Sequence, residues 1–215
     1  MYHKFIKRIF DIIGGVMALV ILSPVMLILV VLVRTKLGSP VFFCQRRVGY
    51  QEQIFTLYKF RTMTNQRDKN GLLLEDDKRC TKFGNLLRST SLDELPELIN
   101  IIKGEMSFIG PRPLLMKYLP LYNHDQRTRH LVRPGLSGLA QIRGRNSLTW
   151  DEKFALDQEY VKQLSFWLDL KIFALTIVKV FQGDGIHSKS SVTMEEFRGN
   201  SPVEDQPNTQ QDHQN

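Results

Sequence analysis

The sequence predicts a mostly helical α+β protein. In this prediction a re-entrant membrane hairpin, two helices joined by a break, precedes a small cytoplasmic domain with interfacial amphipathic helices. Three observations support this fold class: an uncharged apolar run near the N-terminus, two strand-like segments after it, and amphipathic helical patterns towards the C-terminus. Their positions divide the 215 residues into a hairpin at 1–36, a globular domain at 37–187 and a polar tail at 188–215 that we expect to be disordered.

The hairpin prediction depends on residues 12–33, which contain no charged side chain. A continuous helix of that length would reach about 33 Å and could cross a hydrocarbon core of about 30 Å, so a single spanning helix is the alternative. Ser23 and Pro24 interrupt the run, because proline lacks a backbone donor and the serine hydroxyl can bond a freed carbonyl. Basic residues flank both ends, which favours a hairpin that returns to the anionic cytoplasmic face.

The globular domain combines short strands with helices. Residues 165–181 form an amphipathic pattern that suits either a core helix or a helix lying in the membrane interface. Residues 65–81 are a polar loop with a brief helical stretch, and the prolines between 108 and 120 exclude long regular elements. The remaining predicted elements are strands at 40–45 and 53–60 around a turn at Gly49, and helices at 83–88, 95–103 and 151–164.

Composition limits the partners and the kinds of site. With 29 Lys and Arg against 22 Asp and Glu, the net charge of +7 indicates an anionic partner: nucleic acid, a phosphorylated substrate or a membrane surface. The two cysteines form no close pair, the five histidines form no H-E-x-x-H, and the common nucleotide-binding glycine motifs are missing. No recognised nucleic-acid-binding module is present, so we expect no nucleic-acid partner.

The segment 88–98, RSTSLDELPEL, contains the first candidate site. Ser91 and Glu94 have the spacing of a capping box, and proline is tolerated in a first helical turn, so an ordinary helix start explains the pattern. A helix start also suits anions, because its free N–H groups point outward. Beside Arg88, the carboxylates of Asp93 and Glu94 could hold Mg²⁺, since carboxylate and phosphate oxygens are ligands that this ion prefers.

Three further segments add positive charge that suits phosphate, although each alone also fits an ordinary loop or strand. In GPRP, 110–113, two prolines fix the backbone around Arg112 and pre-organise its guanidinium. In RPGLSGLAQIRGR, 133–145, three glycines permit close backbone approach to a ligand, and three arginines suit bidentate phosphate binding. Lys59 and Arg61 lie in YKFRTM, 58–63.

In combination and order, these segments resemble a known family. YKFRTM, RSTSLDELPELIN, MSFIGPRP and RPGLSGLAQIRGR follow an N-terminal hydrophobic segment, as in the bacterial sugar transferases called monotopic phosphoglycosyl transferases. The resemblance covers residues 1 to about 185. It is strongest to small members that consist of the catalytic domain alone, typified by the Campylobacter enzyme of N-linked protein glycosylation. It implies a monotopic protein on the cytoplasmic face of the bacterial inner membrane.

The resemblance implies a two-step reaction. A sugar 1-phosphate passes from a UDP-sugar to undecaprenyl phosphate, with release of UMP, through a covalent phosphosugar on Asp93, and Mg²⁺ is the implied cofactor. Glu94 either helps to hold Mg²⁺ or manages a proton; the sequence leaves both roles open. By analogy we expect an N-acetylated sugar of the bacillosamine type, with galactose and N-acetylgalactosamine left open. Anionic lipids and downstream glycosyltransferases are the implied partners.

Other residues of the matching segments receive expected roles. Asp157 and Asp169 are expected to support the site, although either could simply cap a helix or form a structural ion pair. The competing hypothesis is a membrane-anchored lipid-binding scaffold, in which the basic loops hold anionic lipid without catalysis. We expect contacts with phosphate or nucleotide from Lys59, Arg61, Arg88, Arg112, Pro113, Arg133 and Arg145.

Overall fold

The computed structural model describes residues 2–144, 147–182 and 196–200, in which helices predominate over four short strands. The α-helices are α1 (Lys7–Lys36), α2 (Asp76–Arg79), α3 (Lys82–Ser89), α4 (Glu97–Lys103), α5 (His124–Arg127), α6 (Leu139–Arg143), α7 (Trp150–Gln163) and α8 (Phe166–Gln182). The strands are β1 (Phe42–Val48), β2 (Ile54–Phe60), β3 (Ser107–Ile109) and β4 (Gly135–Ser137). Short 3₁₀-helices lie at Tyr50–Glu52, Leu92–Glu94, Met116–Leu121 and Thr128–Leu131, and a π-helical turn, Tyr2–Ile6, precedes α1. The mostly helical α+β class is as the sequence predicts.

The strands form two small sheets that support the helices. β1 and β2 pair as an antiparallel hairpin from Phe42 opposite Phe60 to Val48 opposite Ile54, which confirms the predicted strand pair. β3 and β4 pair in parallel. The inner face of β2 packs against α4, because Leu57 joins the apolar side chains of that helix in one core cluster. β2 and α4 therefore form a rigid support for the residues between them.

α1 is a continuous helix of 30 residues that runs through the predicted break at Ser23 and Pro24. The Ser23 hydroxyl donates to the Val20 carbonyl at 2.8 Å, and this is the carbonyl that Pro24 cannot pair because it lacks an N–H. The helix therefore does not separate into the two arms predicted from the sequence, since the serine replaces the missing bond. Within the described residues, α1 is the helix that is long and apolar enough to cross a membrane.

Both ends of α1 pack against the globular domain. Near its start, Arg8 donates to two carbonyls in the last turn of α4, at 2.5 and 2.6 Å. Near its end, Val33 is fully buried in a core cluster with Phe60 and Leu87. Many of the apolar side chains between these contacts are exposed. A 30-residue helix is about 45 Å long. Because contacts near both of its ends hold it to the domain, α1 lies along the domain rather than leading away from it.

α8 buries one side and exposes another. Ile172 is fully buried in a core cluster that includes Tyr160 and Ile142, so α8 is in part a core helix. The apolar face that the sequence suggested for a membrane interface is exposed, with Trp167 75% accessible. The other exposed members of that face are Phe166, Leu170, Phe173 and Ile177.

The predicted tail, 188–215, lies outside the described residues except for 196–200. In that stretch Phe197 is 5% exposed and lies in an aromatic cluster with Tyr118, Tyr122 and Phe154. These five residues therefore dock on the domain, unlike the disorder predicted for the tail.

Candidate active site

A cavity of about 1960 Å³ opens beside the segment that joins α3 to α4. Its walls are of two kinds, which indicates that it could receive a ligand with both charged and apolar parts. The charged wall includes Lys59, Arg61, Arg88, Asp93, Glu94 and Arg112. Apolar walls come from β1, α3 and the middle of α1 and include Ala18, Leu22, Phe42, Phe43 and Leu86.

A sharp change of chain direction after α3 places Asp93 in the cavity. Ser91 adopts the left-handed conformation with φ of 56°, and the 3₁₀ turn that contains Asp93 and Glu94 follows it. The Ser91 side chain makes no capping hydrogen bond, so the capping box predicted from Ser91 and Glu94 is wrong. The Glu94 side chain instead reaches cations from other segments of the chain.

Two cations hold the Glu94 carboxylate. Nζ of Lys59 lies 2.5 Å from Oε1 of Glu94 and 3.0 Å from Oε1 of Glu97. Nη2 of Arg112 lies 2.8 Å from the same oxygen of Glu94. Lys59 reaches both acids because it lies near the end of β2, which packs against α4. The result is a small charge network that joins β2, the acidic segment and the GPRP loop.

The three carboxyl groups have different pKa values because their partners differ. Burial raises the pKa of Asp93 to about 6, and the neighbouring charge of Glu94 adds to that effect. Burial and the Glu94 charge likewise raise the pKa of Glu97, to about 7. Burial also acts on Glu94, but Arg112 and Lys59 outweigh it and hold the pKa of Glu94 well below its usual range. Glu94 is therefore the permanently ionised member of the group.

Asp93 differs from its neighbours in having no hydrogen-bond or ion-pair partner among the described residues. It is 9% exposed, and its carboxylate accepts no hydrogen bond within the described part of the chain. The charges of Lys59, Arg112 and Arg88 nevertheless act on it, because each lowers its pKa. A buried carboxylate without a partner costs free energy, so Asp93 is not placed for stability. It is suited to act as a nucleophile or as a metal ligand.

Arg88 and Arg61 both line the cavity but are held in different ways. Nε of Arg88 donates to the Thr62 hydroxyl at 3.0 Å, and its other guanidinium nitrogens have no partner among the described residues. Arg61 is 6% exposed and donates to the carbonyls of Ser39 at 2.5 Å and Met63 at 2.8 Å. Its Nη2 is buried without a partner among the described residues. Arg61 therefore joins chain segments, and both arginines keep a guanidinium nitrogen that no described residue uses.

The loop that carries Arg112 packs closely against the second glycine-rich motif. The Gly110 N–H donates to the Ser137 carbonyl at 2.8 Å, and the Gly135 N–H donates to the Pro111 carbonyl at 3.0 Å. A Cβ atom on Gly110 or Gly135 would lie 2.3 or 2.1 Å from a backbone atom of the other motif. These two glycines therefore permit backbone-to-backbone contact, and the close approach to a ligand that the sequence suggests for the glycines of 133–145 stays a prediction.

Arg129 supports the same loop from another direction. Its Nη2 donates to the Arg112 carbonyl at 2.7 Å and lies 2.8 Å from Oδ2 of Asp157. The side chains of Arg129 and Asp157 are 3% and 5% exposed. Asp157 thus forms a buried ion pair on the cavity wall, and through Arg129 it lies next to the loop that carries Arg112.

Asp169 also forms structural contacts. It accepts hydrogen bonds from the hydroxyls of Tyr2 and Tyr160 at 2.6 and 2.7 Å, and Nζ of Lys7 lies 2.6 Å from Oδ2. These partners join α8 to α7 and to the start of α1. Asp169 does not line the cavity that contains Asp93.

Two other predicted residues lie away from the charge network, and a third lies outside the described residues. Arg133 donates to the Gly104 carbonyl at 2.8 Å, where it caps the end of α4, and does not line the cavity. The Pro113 carbonyl accepts a hydrogen bond from Arg47 at 3.2 Å, and Pro113 is not in the cavity wall. Arg145 lies outside the described residues.

Two residues of the site escaped the sequence analysis. Glu97 lies three positions after Glu94, and acids one helical turn apart share a face, so that spacing could have identified it. Arg129 gave no signal in the sequence, because its partners Arg112 and Asp157 lie 17 and 28 positions away.

Comparisons with known proteins show which family the chain resembles. The family model described as bacterial sugar transferase matches residues 2–183. The uncharacterised sugar transferase EpsL of Bacillus subtilis (strain 168) is 52% identical over 198 residues, which are 92% of this chain and 98% of that protein. The undecaprenyl-phosphate galactose phosphotransferase of Salmonella typhimurium is 37% identical over 86% of this chain and 42% of its own length. An Aeromonas hydrophila enzyme named UDP-N-acetylgalactosamine-undecaprenyl-phosphate N-acetylgalactosaminephosphotransferase is 37% identical over 85% and 45%.

A buried acid among fixed cations, in a cavity that is partly apolar, fits an enzyme that handles phosphorylated substrates. Together with these similarities it defines the class of phosphoglycosyl transferases. The chain belongs to the bacterial sugar transferase family. Its apolar N-terminal helix and its relatives indicate that it associates with a membrane. It spans less than half the length of the Salmonella and Aeromonas relatives, and nearly all of EpsL.

Proposed function

We propose that this chain transfers a sugar 1-phosphate from a UDP-sugar to undecaprenyl phosphate and releases UMP, as the first membrane step of glycoconjugate assembly. The observation that carries the proposal is the buried Asp93 carboxylate, which has no hydrogen-bond partner among the described residues and shares its cavity with Lys59, Arg88 and Arg112. The names of the Salmonella and Aeromonas relatives support the same type of reaction.

In the first step, an oxygen of Asp93 attacks the phosphorus that bears the sugar. The bond from this phosphorus to the bridging oxygen breaks, and UMP leaves with that oxygen and the electron pair. In the second step, an oxygen of undecaprenyl phosphate attacks the phosphosugar on Asp93, and the bond between Asp93 and phosphorus breaks. Two steps on a carboxylate avoid the direct approach of two polyanionic substrates.

The cations have separate tasks in this scheme. Arg88 keeps guanidinium nitrogens available to phosphate oxygens, because its Nε alone is used by Thr62. Lys59 and Arg112 hold Glu94 ionised, and their charges favour the ionised form of Asp93. Fixed charges of this kind stabilise negative charge that develops on phosphate without further reorganisation. Glu94 acts by keeping the two cations in place.

The residues fit a Mg²⁺ ion held in part by the substrate. Among the described residues there is no group of three or more metal-binding side chains, and Glu94 is already occupied by Lys59 and Arg112. Asp93 has free oxygens, and Mg²⁺ commonly uses one or two carboxylates together with substrate phosphates. When bound, Mg²⁺ supplies positive charge that stabilises the reacting phosphates. We propose Asp93 as its main protein ligand, with Glu94 beside it.

We propose that α1 lies in the cytoplasmic leaflet of the inner membrane, with both of its ends on the cytoplasmic side. Support comes from its contacts, because Arg8 near one end and Val33 near the other both pack against the same domain. The exposed apolar faces of α1 and α8, with Trp167, suit insertion into one leaflet, where anionic lipids would bind the flanking basic residues. Cysteine labelling of Phe5 and Thr35 variants should report the same side; labelling on opposite sides would contradict the proposal.

We further propose an N-acetylated donor sugar of the bacillosamine type, with downstream glycosyltransferases as partners of the pathway. The name of the Aeromonas relative supports an acetamido sugar, whereas that of the Salmonella relative names galactose. UMP release from a panel of UDP-sugars with undecaprenyl phosphate and Mg²⁺ decides between them. A preference for UDP-galactose would contradict the acetamido proposal and leave the reaction itself intact.

The decisive experiment replaces Asp93 by asparagine. Asp93→Asn should abolish UMP release and the phosphosugar adduct that mass spectrometry detects after incubation with donor alone, because the amide is a poor nucleophile. Binding to vesicles should be unchanged. Asp151→Asn, which changes an exposed acid at the start of α7, is the matched control and should keep both activities. Full UMP release by Asp93→Asn would refute the nucleophile and favour a scaffold that is indifferent to this change.

A further inference from the structure

The docked segment Glu196–Asn200 closes an aromatic cluster behind the cavity wall. The ring of Phe197 lies 5.1 Å from that of Phe154, 5.4 Å from that of Trp150 and 5.9 Å from that of Tyr118, measured between centroids. Phe197 is 5% exposed, so the cluster would lose a fully packed ring without it. Trp150 also lines the cavity that contains Asp93.

Polar contacts fix this segment on both sides of Phe197. Glu196 forms an ion pair with Lys117. Asn200 accepts a hydrogen bond from the Gln126 side chain at 2.6 Å and donates to the Leu121 carbonyl at 3.3 Å. One ion pair and two hydrogen bonds within five residues indicate a specific docking site.

The aromatic cluster holds Arg129. The Arg129 guanidinium carbon lies 5.6 Å from the centre of the Phe154 ring and 5.9 Å from that of Tyr122, and Nη1 donates to the Tyr122 hydroxyl at 3.3 Å. Cation–π contact and hydrogen bonding together limit the positions that the guanidinium can take. Asp157 completes its surroundings with a buried ion pair.

Arg129 in turn fixes the backbone of the loop that carries Arg112. The Arg112 carbonyl accepts from Nη2 of Arg129 at 2.7 Å, while the Arg112 side chain contacts Glu94 at 2.8 Å. β1 supports the same loop one residue further along the chain, because Arg47 donates to the Pro113 carbonyl. A contiguous set of contacts thus leads from Phe197 to the charge network around Asp93.

We propose that Phe197 is a positioning residue for phosphoryl transfer: by completing the aromatic cluster it fixes Arg129, and through Arg129 it fixes Arg112 at the catalytic acids. This inference rests on the proposed function and adds the C-terminal segment to the machinery of the domain. A displacement of Arg112 of about 1 Å is sufficient to reduce the rate strongly, because charge stabilisation depends on geometry.

Phe197→Ala in the full chain, in vesicles, tests the proposal. We expect kcat/KM per folded molecule to fall at least about tenfold relative to the wild-type protein. Amide hydrogen exchange in residues 109–115 should become faster than in the wild-type protein. The loss should fall on kcat more than on KM, because Arg112 acts on charge that develops on phosphate during the transfer. Phe197→Leu, which keeps apolar volume, should recover part of the activity.

Arg198→Ala is the matched control, since Arg198 is exposed in the same segment and its loss should leave all three measurements unchanged. If Phe197→Ala does not fold, Asn200→Ala removes only the anchoring hydrogen bonds and should change the same measurements in the same direction to a smaller extent. The proposal is overturned if either folded variant keeps the kcat/KM, the kcat and the hydrogen exchange of the wild-type protein. Failure of the proposed function gives a different result, because the wild-type protein itself would then release no UMP.

Discussion

Replacement of Lys59 by methionine tests the charge network that surrounds the catalytic acids. Nζ of Lys59 lies 2.5 Å from Glu94 and 3.0 Å from Glu97, and the Lys59 side chain is 15% exposed. Methionine keeps much of the side-chain length but leaves two neighbouring carboxylates without their shared cation. Removal of one partner of a buried ion pair costs about 3–5 kcal/mol. Arg112 still contacts Glu94 in the variant, so we expect the lower end, about 3 kcal/mol.

Thermal unfolding in detergent micelles at pH 8 and pH 5.5 measures this loss. For a chain of this length, about 3 kcal/mol lowers Tm by roughly 6–12 °C. The deficit should be smaller at pH 5.5, because burial and Glu94 raise the pKa of folded Glu97 to about 7, above its unfolded value. An acid whose pKa is higher in the folded than in the unfolded protein stabilises the fold in its protonated form, at low pH. This contribution to stability is lost as the pH rises through the pKa of the folded state. At pH 5.5 most of Glu97 is protonated and needs no cation.

Lys103→Met provides the matched control. Lys103 is an exposed lysine of α4 whose Nζ donates to the Tyr58 hydroxyl at 3.2 Å. Its loss should change the free energy of unfolding by less than about 0.5 kcal/mol. The reasoning is refuted if Lys59→Met costs no more than Lys103→Met, or if its deficit is equal at the two pH values.

Two further predictions follow from the geometry. The kcat/KM for UMP release should fall at low pH with an apparent pKa near 6, because Asp93 must be ionised to attack phosphorus. Burial together with Glu94 raises the pKa of Asp93 to about 6. A profile that stays flat down to pH 5 would contradict this role. Gly84→Ala should lower the stability by about 1–3 kcal/mol, since the added Cβ would lie 1.8 Å from the Thr62 carbonyl oxygen. An unchanged Tm of Gly84→Ala would show that α3 can move away from Thr62.

The elements predicted correctly are those specified by nearby residues. The strand pair of β1 and β2 follows from local β-forming residues and a turn. The end of α4 follows from Gly104, which has φ of 89°. The predicted break in α1 fails because the Ser23 hydroxyl satisfies the carbonyl that Pro24 leaves free. The capping box fails because the partners of Glu94 lie on β2 and in the GPRP loop.

The site shows the same division between local and distant causes. The motifs identified Lys59, Arg88, Asp93, Glu94 and Arg112, and the structure brings all five to one cavity. An arginine can bind a backbone carbonyl as well as a phosphate, and its sequence neighbours do not specify which. Arg61 and Arg133 are predicted ligand contacts, and in the folded chain each of them also donates to a backbone carbonyl. Glycines are ambiguous in the same way, because motif-to-motif contact and ligand approach both require a missing Cβ.

The way α1 packs determines how the enzyme can be handled and engineered. Val33 and Leu29 share a core with Phe60 and Leu87, so trimming residues 1–36 to obtain a water-soluble fragment would uncover the interior of the protein. A foreign anchor spliced in its place would have to reproduce those side chains as well as Arg8, which closes the end of α4. Detergent or lipid is consequently a component of any preparation that preserves the native core.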